Sequence, residues 1–271
     1  MPPRNAIVAL LLVAMATTAC SRLTFIRPDY TRKGDDIPQR DYDFKTDKAA
    51  EKRYAARQQA VVAEQRLRAG QFDEAIHQAN VALKTDPNSA EAYTVLAFAN
   101  ARLGNDAVAG GHYAKAVELA PQRGAMLNNY GVWLCSNGRE TESLAQFDAA
   151  LRDPLYATPI DARANAGSCA LAAGQLERAE RDLRMALDAA PKHPSALEAM
   201  AELHFKQGDF LGARAFSERR LAAAPPTPAV LSQAAEIERR LGDHAAAAKY
   251  VQMKQSRFPQ RESRPGDSPS P

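Results

Sequence analysis

The chain has 271 residues, enough for one large domain, two small ones, or a repeat array whose length is free because each unit touches only its neighbours. Apolar residues make up 45% and charged residues 25%, ordinary globular shares, and a formal net charge of +3 is too small for a nucleic-acid-binding chain. Alanine is abundant and β-branched alternation scarce, which points to an all-helical fold.

At the start, Arg4 precedes an uninterrupted apolar run from Ala6 to Ala16. A membrane span needs about 20 such residues, so the run fits the core of a signal peptide over residues 1–19. It ends in Thr17-Thr18-Ala19-Cys20, small residues before a cysteine, which resembles a bacterial lipobox with Thr17 in place of the usual leucine. Cys20 is therefore expected to carry lipid; the alternative is ordinary cleavage near Ala16 or Ala19 and a soluble exported protein. Several acyl chains, at about 0.8 kcal/mol per buried CH₂, anchor firmly where one would not. Ser21, rather than Asp, directs such a lipoprotein to the outer membrane.

Residues 20–47 mix both charges with Pro28, Gly34 and Pro38 and show no helical period. They read as a flexible tether whose ends lie on the order of 30 Å apart. Residues 260–271, rich in Ser, Pro, Gly and Arg, read as a disordered tail.

Between them, residues 48–259 repeat. Glycines recur at Gly70, Gly104, Gly138, Gly174, Gly208 and Gly242, spaced 34, 34, 36, 34 and 34 apart. Five residues after each stands a small residue: Ala75, Ala109, Ser143, Ala179, Ala213 or Ala247. Seventeen residues after each stands a proline (Pro87, Pro121, Pro191, Pro225, Pro259), except in the third unit, where Pro154 comes one residue early beside a two-residue insertion. The glycine ends a first helix in a left-handed conformation, the small residue lets a second helix cross the first closely, and the proline stops the second helix. This is the tetratricopeptide period, and gly–pro punctuation in every unit excludes a coiled coil. The expected fold is all-α: a right-handed solenoid of six helix–turn–helix repeats, the stretch Ala49 to Val62 giving repeat one its first helix and the Ala-rich sixth repeat acting as a cap.

Local strings narrow the reading. They are Leu127-Asn128-Asn129-Tyr130-Gly131-Val132-Trp133-Leu134-Cys135, Asp153-Pro154-Leu155-Tyr156-Ala157-Thr158-Pro159, Asn165-Ala166-Gly167-Ser168-Cys169-Ala170-Leu171-Ala172-Ala173-Gly174 and Gln207-Gly208-Asp209-Phe210-Leu211-Gly212-Ala213-Arg214-Ala215. With the lipoprotein signal, tether and six repeats, the chain resembles the PilF/PilW family of type IV pilus biogenesis and stability lipoproteins. The resemblance implies a pilotin role: escorting secretin subunits to the outer membrane and promoting their multimerisation. The competing expectation is an adaptor or scaffold of the same architecture for cell-wall or other envelope enzymes.

In such a stack the first helices line a concave groove, and a stripe at i, i+4, i+7 and i+11 faces it. Counted from the terminating glycine, the stripe is Glu91, Val95, Phe98 and Arg102 with Thr94 beside it, then Ala125, Asn129, Val132 and Ser136 with Asn128 and Cys135 flanking, then Asp161, Asn165, Ser168 and Ala172. Asn129 and Asn165 occupy equivalent places, and their amides either capture an extended peptide backbone or satisfy groups between helices. Phe98 is either a groove anchor or a packed core residue. Cys135 and Cys169 stand in adjacent first helices; they form a disulfide stapling repeats three and four, or remain two buried thiols. The five histidines are scattered, with no HExxH, phosphate loop or nucleophile elbow. No catalytic residue, metal or cofactor is expected, and the partner is a protein.

Overall fold

The computed structural model describes residues 47–259. The expected signal peptide, Cys20, the tether up to residue 46 and the tail at 260–271 lie outside those residues.

Twelve helices and no strand occur among the described residues: α1 (Lys48–Arg68), α2 (Phe72–Thr85), α3 (Ala90–Arg102), α4 (Asp106–Leu119), α5 (Gly124–Ser136), α6 (Glu140–Ala150), α7 (Pro159–Ala172), α8 (Leu176–Ala189), α9 (Pro194–Lys206), α10 (Phe210–Ala223), α11 (Pro228–Arg240) and α12 (His244–Arg257). They form six consecutive antiparallel pairs, and each first helix also packs against the first helix of the next pair. None is long and apolar enough to cross a membrane.

The punctuation acts as its chemistry requires. At the end of α1, Gly70 takes φ +73°, its N–H donates to the Leu67 carbonyl at 3.0 Å, and the Gln71 N–H reaches back to Arg66 at 3.0 Å. This left-handed closure recurs at the other five repeat glycines, and no other described residue has positive φ. The helix crossings are as tight as the small residues imply: Ala75, Ala109, Ala179, Ala213 and Ala247 are all buried. Ser143 fits the same slot because its hydroxyl donates to the Gly131 carbonyl at 2.7 Å. Gly131 in turn has no Cβ, which leaves room for Phe147; an added Cβ would stand 2.8 Å from that ring.

Two departures from the regular period have structural reasons. Helix α1 runs to Arg68, 21 residues, well past Val62. Its buried face is only Ala56, Ala60 and Ala63, all small, so it lies flat against α2. In the third repeat, α6 stops at Ala150 after 11 residues, where the other second helices have 14. The insertion replaces its last turn and turns back on the loop before α5. Asp153 accepts the Gly124 N–H at 2.7 Å and the Leu155 N–H at 2.9 Å, capping α5 with a carboxylate. These two bonds hold the Asp153 carboxyl below its ordinary pKa. Leu155 is left 90% exposed at the tip.

The core runs along the seam between first and second helices. Its largest continuous part joins repeats three to five through Phe147, Leu183, Leu197, Met200 and Leu203. An aromatic group of Tyr113, Tyr130 and Trp133, with ring centroids 6.0–6.3 Å apart, joins repeats two and three. Burial there pushes the Tyr113 phenol up to about 12. No single pair closes a core of its own, so stability depends on stacking.

Candidate functional site: the first-helix groove

Because consecutive first helices lie side by side, a side chain at one place in the repeat stands beside its counterparts in neighbouring repeats. A cavity of about 670 Å³ opens on this face at the amino-terminal end of the stack. Glu91, Thr94, Val95, Phe98 and Arg102 of α3 line it, as do Ala125, Met126 and Asn129 of α5 and Arg123 just before α5. Phe98 is 41% exposed, so it is a groove residue and not part of the core. Val95 lines the cavity at only 5% exposure because its other face joins the core of the first two repeats.

Sequence reasoning missed the third wall. Helix α1 contributes Arg57, Val61, Glu64 and Arg68. The glycine count that placed Glu91, Val95, Phe98 and Arg102 lands on these four when taken back from Gly70.

The groove continues at the other end of the stack. A second cavity of about 440 Å³ is lined by Ser168 and Leu171 of α7, Ser195, Glu198, Ala199 and Glu202 of α9, and Gln233 of α11. Val132, between the two cavities, is 40% exposed on α5.

Polar groups along the groove are mostly engaged. Glu91 pairs with Arg123 between the second and third repeats of the cavity wall. Burial by itself would raise the Glu91 carboxyl, but its hydrogen bond from Arg123 and the charges of Arg123 and Arg57 hold it below its ordinary value. The equivalent pair further along is Asp161 with His193, at 2.9 Å. The Thr94 and Ser168 hydroxyls each donate to the carbonyl four residues earlier, at 2.9 Å, and so are spent on their own helices.

The two equivalent asparagines part company. Asn165 donates to the Asn128 Oδ1 at 3.0 Å, tying α7 to α5. Asn129 lines the first cavity, and its amide has no hydrogen-bond partner among the described residues. Beside the Asn128–Asn165 bond, Cys135 and Cys169 are joined as a disulfide, with Cα atoms 5.9 Å apart. A covalent and a polar tie thus cross the same interface, where the irregular insertion links repeats three and four.

Paired helices turned by left-handed glycines and stacked around one open groove define a tetratricopeptide-repeat protein. A family model described as tetratricopeptide repeat matches residues 63–124 and 134–194, and a second one of the same description matches 170–237. The crystal structure of PilW, described as a widely conserved type IV pilus biogenesis factor, superposes with a TM-score of 0.70 at 30% identity, over 77% of this chain and 96% of that one. This chain belongs to the PilF/PilW family of type IV pilus biogenesis proteins. The type IV pilus assembly protein PilF of Pseudomonas aeruginosa is 27% identical over 150 residues, 55% of this chain and 60% of its own length; the chain thus spans less than two thirds of that curated relative. A solved structure of Pseudomonas aeruginosa PilF shares the fold, with a TM-score of 0.65 at 24% identity over 78% of this chain and 94% of that one.

Proposed function

We propose that this protein is an outer-membrane lipoprotein that binds secretin subunits through its groove and promotes their localisation and multimerisation in type IV pilus biogenesis. It is a binding protein and catalyses no reaction. The observation that carries the reading is the open cavity over α1, α3 and α5, with Phe98 exposed on its floor, in a chain of this family. A half-exposed aromatic ring in a concave site is the kind of anchor around which binding energy concentrates. The groove offers exposed side chains for recognition, Val61, Phe98 and Arg102 among them.

Lipid on Cys20 would hold the solenoid at the periplasmic face of the outer membrane, with residues 21–47 as the spacer. Labelled palmitate incorporated into the wild type and lost in Cys20→Ser supports the anchor; equal labelling of both rejects it.

The direct test is a deletion strain combined with a pull-down of purified secretin. Loss of twitching motility and of heat-resistant secretin multimers, with capture of secretin by the full-length chain, is the expected result. Normal pili and normal multimers in the deletion strain, with cell-wall enzymes captured instead, would replace this reading by that of an envelope scaffold.

A further inference from the structure

The charge in the amino-terminal cavity is unevenly neutralised. Four arginines and two glutamates line it. Glu64 pairs with Arg68 at 2.6 Å, and Glu91 pairs with Arg123. Arg57 and Arg102 make no ion pair among the described residues, and both are exposed. Arg102 lies over the Phe72 ring, 5.5 Å from its centroid, a contact that orients the guanidinium without cancelling its charge.

The repeat explains why Arg57 is left over. Glu91 and Asp161 occupy its place in later repeats and face Arg123 and His193. The residue standing at the Arg123 position for repeat one is Ser89, whose hydroxyl is taken by the Ala92 N–H at 3.3 Å. The carboxylate within its reach, Glu91, is already paired with Arg123.

The two arginines lie at opposite ends of the facing stripe, eleven residues apart in the repeat. At 1.5 Å per residue that is about 17 Å along the helix axes. Between them the floor is apolar: Val61, Val95 and Phe98. Each end therefore carries one surplus positive charge, and the one charge in the middle, Glu64, is matched by Arg68. About five residues of extended chain span the same length.

We propose that this cavity takes an extended partner segment with a carboxylate at each end and a large apolar side chain between them. Arg57 and Arg102 bind the carboxylates, Phe98 packs against the apolar side chain, and the Asn129 amide meets the peptide backbone. The inference rests on the reading of the groove as the secretin-binding face and names what the bound segment must carry. A polynucleotide is disfavoured, because a phosphate chain calls for a continuous row of cations, and here Glu64 and Glu91 interrupt the row.

The test uses the full-length chain in detergent and fluorescein-labelled, end-blocked peptides read by anisotropy. The probe contains Asp-Ser-Phe-Val-Ser-Asp; one control replaces both Asp by Asn, another replaces Phe-Val by Ser-Ser. Binding of the probe, weakened at least tenfold in either control and weakened by salt, is expected. Arg57→Gln with Arg102→Gln should bring the probe down to the Asn control while leaving the control unchanged. Equal affinity for the Asp and Asn peptides, no binding of the probe, or stronger competition by a twelve-nucleotide oligothymidine would overturn the proposal. If wild-type chain captures purified secretin and the double variant captures it equally, this inference fails while the secretin reading stands. If wild type captures no secretin, the secretin reading fails and the peptide measurements still decide this one.

Discussion

The two ends of the groove are built from the same repeat yet offer opposite surfaces. At the amino-terminal end, arginines outnumber glutamates and Phe98 and Val61 are exposed. At the carboxy-terminal end, the lining is Glu198, Glu202, Gln233 and two serines, with Leu171 and Ala199 and no cation. The acidic end is also occupied by its own partners: Arg220 reaches Glu198 at 3.3 Å, and Gln233 donates to Glu202 at 3.1 Å. Arg220 is itself buried at a place where earlier repeats carry Ala82, Ala116, Ala150 and Ala186, and it also donates to the carbonyls of Ala224 and Pro225. One end is left with charge and apolar surface to spend on a ligand, and the other spends its polar groups on itself. A repeat framework sets where the groove runs; substitutions at a few stripe positions set which part of it can bind.

The staple between the ends gives the largest expected effect. Cys135→Ser with Cys169→Ser opens a 34-residue covalent loop and should cost about 3 kcal/mol of stability. Urea unfolding should broaden or split as the two ends lose their coupling at the insertion. An unchanged midpoint would mean that stacking alone joins the halves.

Next is Phe98→Ala. Loss of a central aromatic anchor should weaken secretin binding by about 30-fold, on the order of 2 kcal/mol, with the melting temperature nearly unchanged. Glu202→Ala at the other end should change binding less than twofold. Equal losses from the two variants would erase the functional contrast drawn between the ends.

The middle of the array can be probed through its glycines. Gly131→Ala and Gly167→Ala place a Cβ 2.8 Å from the Phe147 ring and 2.6 Å from Leu183, and each should destabilise by about 1–3 kcal/mol. Gly111→Ala, which meets nothing within 4 Å inside α4, should be neutral or stabilise by up to about 1 kcal/mol. Thermal melts of the three variants check this order.

The smallest effect concerns the Asp153 cap. Its pKa is depressed in the folded chain by the Gly124 and Leu155 N–H groups, so its contribution is present above the ordinary Asp value and is lost as pH falls through the depressed one. Melting temperature should therefore fall more steeply on acidification below about pH 4 in the wild type than in Asp153→Asn. Parallel curves would show that the insertion holds α5 without this carboxylate.

Much of this was legible in the residues themselves. Gly70 and its five counterparts, each followed by a small residue and a proline, specify the pairs because only glycine closes a helix cheaply at positive φ and only a small side chain fits each crossing. The stripe count also reached Phe98, Arg102 and Asn129, since helical periodicity is local. What local periodicity could not decide was which side chains find partners across repeats. Asn165 turns to Asn128, Glu91 to Arg123 and Arg220 to Glu198, and these pairings depend on how neighbouring helices are placed in space. The surplus charge of Arg57 and Arg102 is the remainder after those pairings are made. The fold is thus set by short-range sterics written every 34 residues, while the binding character of the groove is set by long-range electrostatic bookkeeping that only the stacked helices complete.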